Sequence, residues 1–288
     1  MRNHTRHTAR RTTRIATAVA VAGALGLGLA ACGSDDSDSG SGGSGDSDKA
    51  LVVAASPTPH ADILKYVQDH LAAKEGLKLK VKEVTDYVTP NTATQDGSVD
   101  ANFFQHKPYL DDFNKKNGTD LVPVTAVHLE PLGAYSHKVK SLGELKKGAT
   151  VAVPNDATNE ARALKLLASN GLITLKSGAG DDATPADIAK NPKDISFKEL
   201  EAAQVPRSLN DVDAAVVNGN YAVETGLKPA KDALVLEKAE DNPYANILVV
   251  KDGKESDPRV KKLAKLLHSP EVKKFIEDTY EGSVIPAF

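Results

Sequence analysis

After residue 50 the apolar positions follow two alternating patterns. The short runs 51–55 and 151–153 are closed by polar turns, as buried parallel strands are. Behind the first, Ile63, Leu64, Val67 and Leu71 recur at helical spacing within 60–74; behind the second, a helix runs through Leu167. Leu77, Leu79 and Val81 alternate with lysines as a half-buried strand does, and Gly97 precedes a strand over 99–104. Ser141 and Glu144 have capping-box spacing, Asn170-Gly171 supplies a helix stop, and Thr184-Pro185 opens a further helix. Strands are predicted over 212–217, 234–236 and 247–250. Asp257-Pro258 and Ser269-Pro270 then start two terminal helices, the last one burying Val272, Phe275 and Ile276. Strands alternating with helices predict an α/β fold whose ligands gather at the carboxyl ends of strands.

One part of the pattern recurs. Ser98-Val99-Asp100-Ala101-Asn102-Phe103-Phe104-Gln105 and Asp211-Val212-Asp213-Ala214-Ala215-Val216-Val217-Asn218 share Val-Asp-Ala, two apolar residues and a terminal amide. Each lies downstream of a strand–turn–helix unit. The echo predicts two similarly built lobes with strand ends facing across a cleft.

Before residue 50 the pattern is of another kind. Arg2, Arg6, Arg10, Arg11 and Arg14 precede an Ala/Gly-rich apolar run over 15–31, too short to span a membrane comfortably and ending in Leu29-Ala30-Ala31-Cys32. Segment 1–31 therefore reads as a signal peptide, and Leu-Ala-Ala-Cys resembles a bacterial lipobox with Cys32 as the lipidated residue. Residues 33–49 are Gly, Ser and Asp up to a final Lys, a flexible tether.

The chain of 288 residues is long enough for one large domain or two ordinary ones. Its single cysteine excludes a disulfide framework and any Cys-cluster metal site. Net charge is −3, and since residues 1–31 hold five arginines and no acid, the rest is more acidic still. No basic stripe interleaved with aromatics follows, which argues against a nucleic-acid surface. Serine-hydrolase elbows, phosphate loops, His-Glu-x-x-His and calcium loops are absent. No enzyme activity, metal or cofactor is expected.

Candidate chemistry centres on Arg162. An arginine near a helix start opposes the helix dipole, so either solvent screens it or an anion sits beside it. On a strand, adjacent Phe103 and Phe104 point to opposite faces, so at most one is core while the other faces a different surface. Phe104, followed by His106, either packs as core or walls an apolar ligand part, and Tyr87 in its loop is placed to line the same cleft. Asn218 and Asn246 adjoin apolar runs and need partners; with Arg162 they suit a zwitterion, guanidinium for carboxylate and amide oxygens for ammonium. His60, His106, His128 and His137 show no metal-ligand spacing, and His128 with Glu130 forms an isolated pair.

Taken together, 86–91, 100–110, 128–131, 153–164, 213–218 and 244–250 resemble the methionine-binding lipoproteins of the MetQ/NlpA type, substrate-binding subunits of methionine ABC importers. The resemblance covers 51–288. It implies a two-lobed periplasmic-binding-protein fold, type II-like, with a hinge and the ligand in the interlobe cleft. Lobe 1 would comprise 50–135 and 243–288, lobe 2 136–242, with crossings near 132–138 and 238–245. Carried over by position, Arg162 would hold the methionine carboxylate. Tyr87, Phe104 and His106 would form the wall around the thioether, and Asn159, Asn218 and Asn246 would surround the charged end. Ala161 departs from the family, where Gly usually precedes the arginine. The implied protein is a monomer, lipid-anchored through Cys32 on the extracytoplasmic face of the cell membrane. It captures L-methionine or a close analogue and delivers it to an ABC permease and its ATPase.

Overall fold

The computed structural model describes residues 49–288. The expected signal peptide, Cys32 and the tether up to residue 48 lie outside the described residues. Among the described residues no helix is long and apolar enough to cross a membrane.

The chain opens with strand β1 (Leu51–Ala55), whose alternate side chains enter two different clusters: Val53 packs with Ile63 and Leu64, Ala54 with Ala93 and Val99. Helix α1 (Asp62–His70) buries Ile63, Leu64 and Val67, as the helical spacing requires. Strand β2 (Leu79–Glu83), helix α2 (Thr89–Gln95), strand β3 (Ala101–His106), helix α3 (Lys107–Asn117) and strand β4 (Leu121–Leu129) follow. Next come β5 (Gly133–Tyr135), β6 (Thr150–Pro154), helix α4 (Ala157–Ser169), a hairpin of β7 (Thr174–Leu175) and β8 (Ile188–Lys190), then β9 (Ser196–Leu200) and β10 (Ala214–Val217). Short helices α5 (Gly219–Glu224) and α6 (Pro229–Asp232) precede β11 (Val235–Leu236) and β12 (Ala245–Lys251). The chain closes with α7 (Pro258–Leu267), α8 (Pro270–Tyr280) and β13 (Ile285–Pro286).

Two sheets result. The first has the order β13-β4-β12-β3-β1-β2, and the second β11-β5-β10-β6-β9. In each, the strands that begin with the repeated pattern lie parallel to their partners: β3 to β1, and β10 to β6. Return strands run antiparallel at one side, β12 beside β3 and β5 beside β10. Helices α1, α7 and α8 cover one face of the first sheet, with Leu263, Leu267, Val272 and Ile276 in its core. Leu164 and Leu167 of α4 pack on Val151, Val153, Ala214 and Val216 of the second.

The sheets share no strand, so the chain crosses between them at 130–132 and returns at 237–244. The expected boundary at 135 falls at the end of β5, a strand hydrogen-bonded inside the second sheet. Proline-led helices start where expected: the Asp257 side chain accepts the Arg259 N–H, and the Ser269 side chain the Val272 N–H. Two other starts are corrected. Ser141 leads only a 3₁₀ turn, in which the Glu144 carboxylate accepts from the Lys140 N–H and the Ser141 hydroxyl. Thr184-Pro185 also opens one 3₁₀ turn, because the chain enters β8 directly after it.

Candidate functional site

Tyr87, Phe104, His106, Asn159, Arg162, Asn218 and Asn246, the residues selected from the sequence, all line one small cavity. Gln105, Tyr109, Glu130, Gly219 and Asn220 complete its lining. Topology explains the convergence. Phe104 and His106 end β3, Asn218 follows β10, and Asn159 and Arg162 sit on the helix after β6, so carboxyl ends of strands in both sheets supply the walls. Asn246 reaches the same place from an antiparallel strand, since it pairs across from His106.

The neighbouring phenylalanines divide as strand geometry demands. Phe103 is fully buried in the first core, while Phe104 joins Tyr109 and Tyr87 at the cavity. Ring centroids of Tyr87 and Phe104 lie 5.7 Å apart. These aromatics form an apolar wall.

The polar wall is held by a directed chain of hydrogen bonds. Asp156 caps α4 by accepting the Asn159 N–H, and its carboxylate also takes the Asn159 side-chain amide at 2.9 Å and 3.1 Å. A carboxylate only accepts, so Asn159 must turn its oxygen the other way. That oxygen receives the Asn218 side-chain amide at 2.9 Å and His106 Nε2 at 3.2 Å. His106 carries its proton on Nε2 because its Nδ1 accepts the Tyr109 N–H. The end of the chain is Asn218 Oδ1, which is buried and has no hydrogen-bond partner among the described residues. An orphaned acceptor facing a cavity is fitted to an incoming donor.

Asn246 is oriented the opposite way. His60 Nε2 donates to its oxygen at 3.0 Å, so its amide NH₂ is the end left for the cavity. Asn220 receives the Tyr87 hydroxyl at 2.5 Å, and its side-chain nitrogen is likewise buried without a partner among the described residues.

Arg162 lies in the second turn of α4, past the cap, so the clash with the helix dipole expected from the sequence is slight. Its anion is Glu237, which sequence reasoning did not select: Nε donates to the carboxylate at 2.8 Å and Nη2 at 2.5 Å. Nη2 also donates to the Glu130 carbonyl at 3.0 Å, and the guanidinium carbon stands 4.1 Å from the centre of the Tyr244 ring. These bonds use Nε and Nη2 and leave Nη1 out.

Glu130 links both sheets. Its carboxylate accepts from His128 Nε2 at 2.7 Å and lies 3.3 Å from His60 Nε2, while the Asn220 N–H of α5 donates to it from the other side. Gly219 makes that approach possible, since a Cβ there would stand 2.6 Å from Glu130 Cβ. Burial raises the Glu130 pKa, with His60 and Arg162 pulling it back. Burial likewise lowers His60 to about 4, His128 to about 3 and His106 to about 3, so all three imidazoles are neutral at ordinary pH. His60, His128 and Glu130 are the one group among the described residues with donor atoms close enough for a metal, within 4.8 Å of one another. His128 Nε2 already donates to the Glu130 carboxylate and His60 Nε2 to Asn246, so both imidazoles present a proton, not a lone pair, to the centre of the cluster. The pair His128 and Glu130, isolated in sequence, thus gains His60 in space.

Comparison with known proteins places these features. The family model described as NlpA lipoprotein matches residues 51–288. The methionine-binding lipoprotein MetQ of Bacillus subtilis is 46% identical over 243 residues, covering 83% of this chain and 88% of that protein. The D-methionine-binding lipoprotein MetQ of Salmonella typhimurium is 45% identical over 214 residues, 74% of this chain and 79% of that one. A solved nutrient binding protein from Burkholderia cenocepacia, bound to methionine, is similar over 83% of this chain and all of its own, with TM-score 0.81 and 48% identity. That likeness is to a periplasmic substrate-binding architecture, the two-lobed α/β class expected from the sequence. With the match running over the whole of its two sheets, the chain belongs to the NlpA lipoprotein family.

Proposed function

We propose that this protein is a solute receptor that captures L-methionine between its two sheets and hands it, chemically unchanged, to an ABC permease and its ATPase. One observation carries the reading. A single cavity joins an aromatic wall of Tyr87, Phe104 and Tyr109 to a cationic nitrogen, Arg162 Nη1, and an orphaned acceptor, Asn218 Oδ1. An apolar side chain, a carboxylate and an ammonium on one small ligand answer those groups in turn. A thioether gains further from sulfur–aromatic contact. The amide nitrogens of Asn220 and Asn246 add donors for the carboxylate. Names of the relatives, methionine-binding among them, support the same ligand.

The receptor works as a monomer, with the segments that build the first sheet, 50–130 and 245–288, forming one lobe and 133–236 the other. It is held on the extracytoplasmic face of the cell membrane by lipid on Cys32. Palmitate labelling that survives Cys32→Ser would overturn the anchor.

Calorimetry on the detergent-solubilised full chain, unfolded and refolded to strip any copurified ligand, should register L-methionine binding. Arg162→Ala is expected to weaken it by about a hundredfold. An unaffected Arg162→Ala overturns the carboxylate assignment, and tighter binding of D-methionine reverses the stereochemical choice.

A further inference from the structure

Arg162 belongs to the cavity, but the carboxylate paired with it does not. Glu237 lines a separate groove with Lys165, Leu166 and Tyr244, and it is not among the residues lining the cavity. It meets the guanidinium side-on through Nε and Nη2, both within 2.8 Å. The same carboxylate accepts the Leu132 N–H at 2.9 Å and the Asn242 side-chain amide at 3.3 Å. Glu237 is therefore tied to both segments in which the chain passes between the sheets.

The geometry points to Glu237 as a positioning and charge-balancing residue that makes the site select an α-amino acid zwitterion over a simple carboxylate anion. This rests on the methionine reading. A side-on pair fixes the guanidinium plane and leaves one nitrogen, Nη1, for the ligand. It also cancels the charge of Arg162 before any ligand arrives. The other cavity groups add no positive charge: His106 is neutral, burial keeps the Tyr87 and Tyr109 hydroxyls protonated, and Glu130 is the one carboxylic acid of the lining. A ligand bearing only a carboxylate finds no net cation to compensate it. A zwitterion brings its own, and Asn218 Oδ1 and Glu130 stand ready on the acceptor side.

The test compares L-methionine with 4-(methylsulfanyl)butanoate, the same molecule without its amino group, by calorimetry on the full chain in detergent. Wild type should favour L-methionine strongly. Glu237→Gln keeps the shape, removes the charge, and should weaken L-methionine about tenfold while the anion holds or gains, so the preference shrinks by at least about tenfold. An unchanged ratio, whether both affinities fall together or neither moves, overturns the proposal, since a merely structural role would act on both ligands alike. Removing one partner of a buried pair can prevent folding. Should it do so, Glu237→Asp decides: it keeps the charge, and must lower affinity while preserving the ratio. An altered ratio in the aspartate variant overturns the proposal. Wild type that binds no methionine fails the parent reading instead, a result separate from either variant.

Discussion

The two repeated strands end alike at one extremity and differently at the other. At the amino end, Asp100 accepts the Val52 N–H at 2.7 Å, and Asp213 accepts the Thr150 N–H at 2.8 Å; each Asp N–H returns a bond to the same partner residue. At the carboxyl end the shared amide diverges. Gln105 is consumed within its own half by Asn91 and Asn102, whereas Asn218 is bonded through its nitrogen and keeps its oxygen orphaned. Phe104 opens on the cavity, while its counterpart Val217 is sealed in a core cluster. Sheet construction is thus shared between the halves, and chemistry is assigned at the strand ends. The first half supplies the aromatic wall together with His106 and Asn246, and the second the guanidinium and the orphaned acceptor.

The sharpest difference concerns acid. His60, His106 and His128 are buried on the first half, and burial holds them between about 3 and about 4, below the ordinary 6.5. Their contribution to stability is complete above about pH 6.5 and is lost as pH falls toward 4, because the unfolded chain takes up protons first. In the second half Glu160 is raised to about 7 by burial, then by Glu199 and Asp156. Its sign is opposite: stability is full below its ordinary value and lost as pH rises through 7. Hydrogen exchange at pH 7 and near pH 4 should show amides of β1, β3 and β12 losing protection on acidification well before those of β6 and β10. Uniform loss would break the comparison.

Next in size, Asp100→Ala should cost about 2 kcal/mol, because it also removes a partner of Arg259, and Asp213→Ala about 1 kcal/mol. Both are read by denaturant unfolding, and methionine affinity should move less than about twofold. Asn218→Ala should do the reverse, lowering affinity about tenfold in calorimetry with little change in melting, whereas Gln105→Ala should destabilise through its broken buried network. Equal behaviour of the two amides would erase the functional asymmetry. Smallest is Glu160→Gln, worth about 0.5 kcal/mol at pH 8 once solvent screening is allowed for, and nothing near pH 4, in paired unfolding curves.

Much of this was legible in the chain. Period and turn residues located the parallel strands except β9, and the two terminal proline-led helices but not α2, α3 or α6, though β3 and β10 begin at 101 and 214, a residue or two later than the apolar runs suggest, because Asp100 and Asp213 are spent on neighbouring strands. β4 escaped notice: its middle is half-exposed and interrupted by Pro123, so alternation is blurred. Motif resemblance brought the site residues forward before any geometry. Glu237 and Asn220 were missed for a physical reason. Each acts through a partner far along the chain, Arg162 or Tyr87, and no local spacing encodes such a pair. A glutamate beside an apolar run, like Glu237 after Leu236, is the faint signal available.

The first and last strands, β1 and β13, both belong to the first sheet, and the second sheet is spliced into the chain between the two crossings. In mechanical terms, the ends of the described chain grip only one half of the molecule. Tension applied between residues 49 and 288 is borne by the first sheet, while the second hangs outside the load path. An anchor at the amino end would therefore leave the Arg162-bearing half outside the load path.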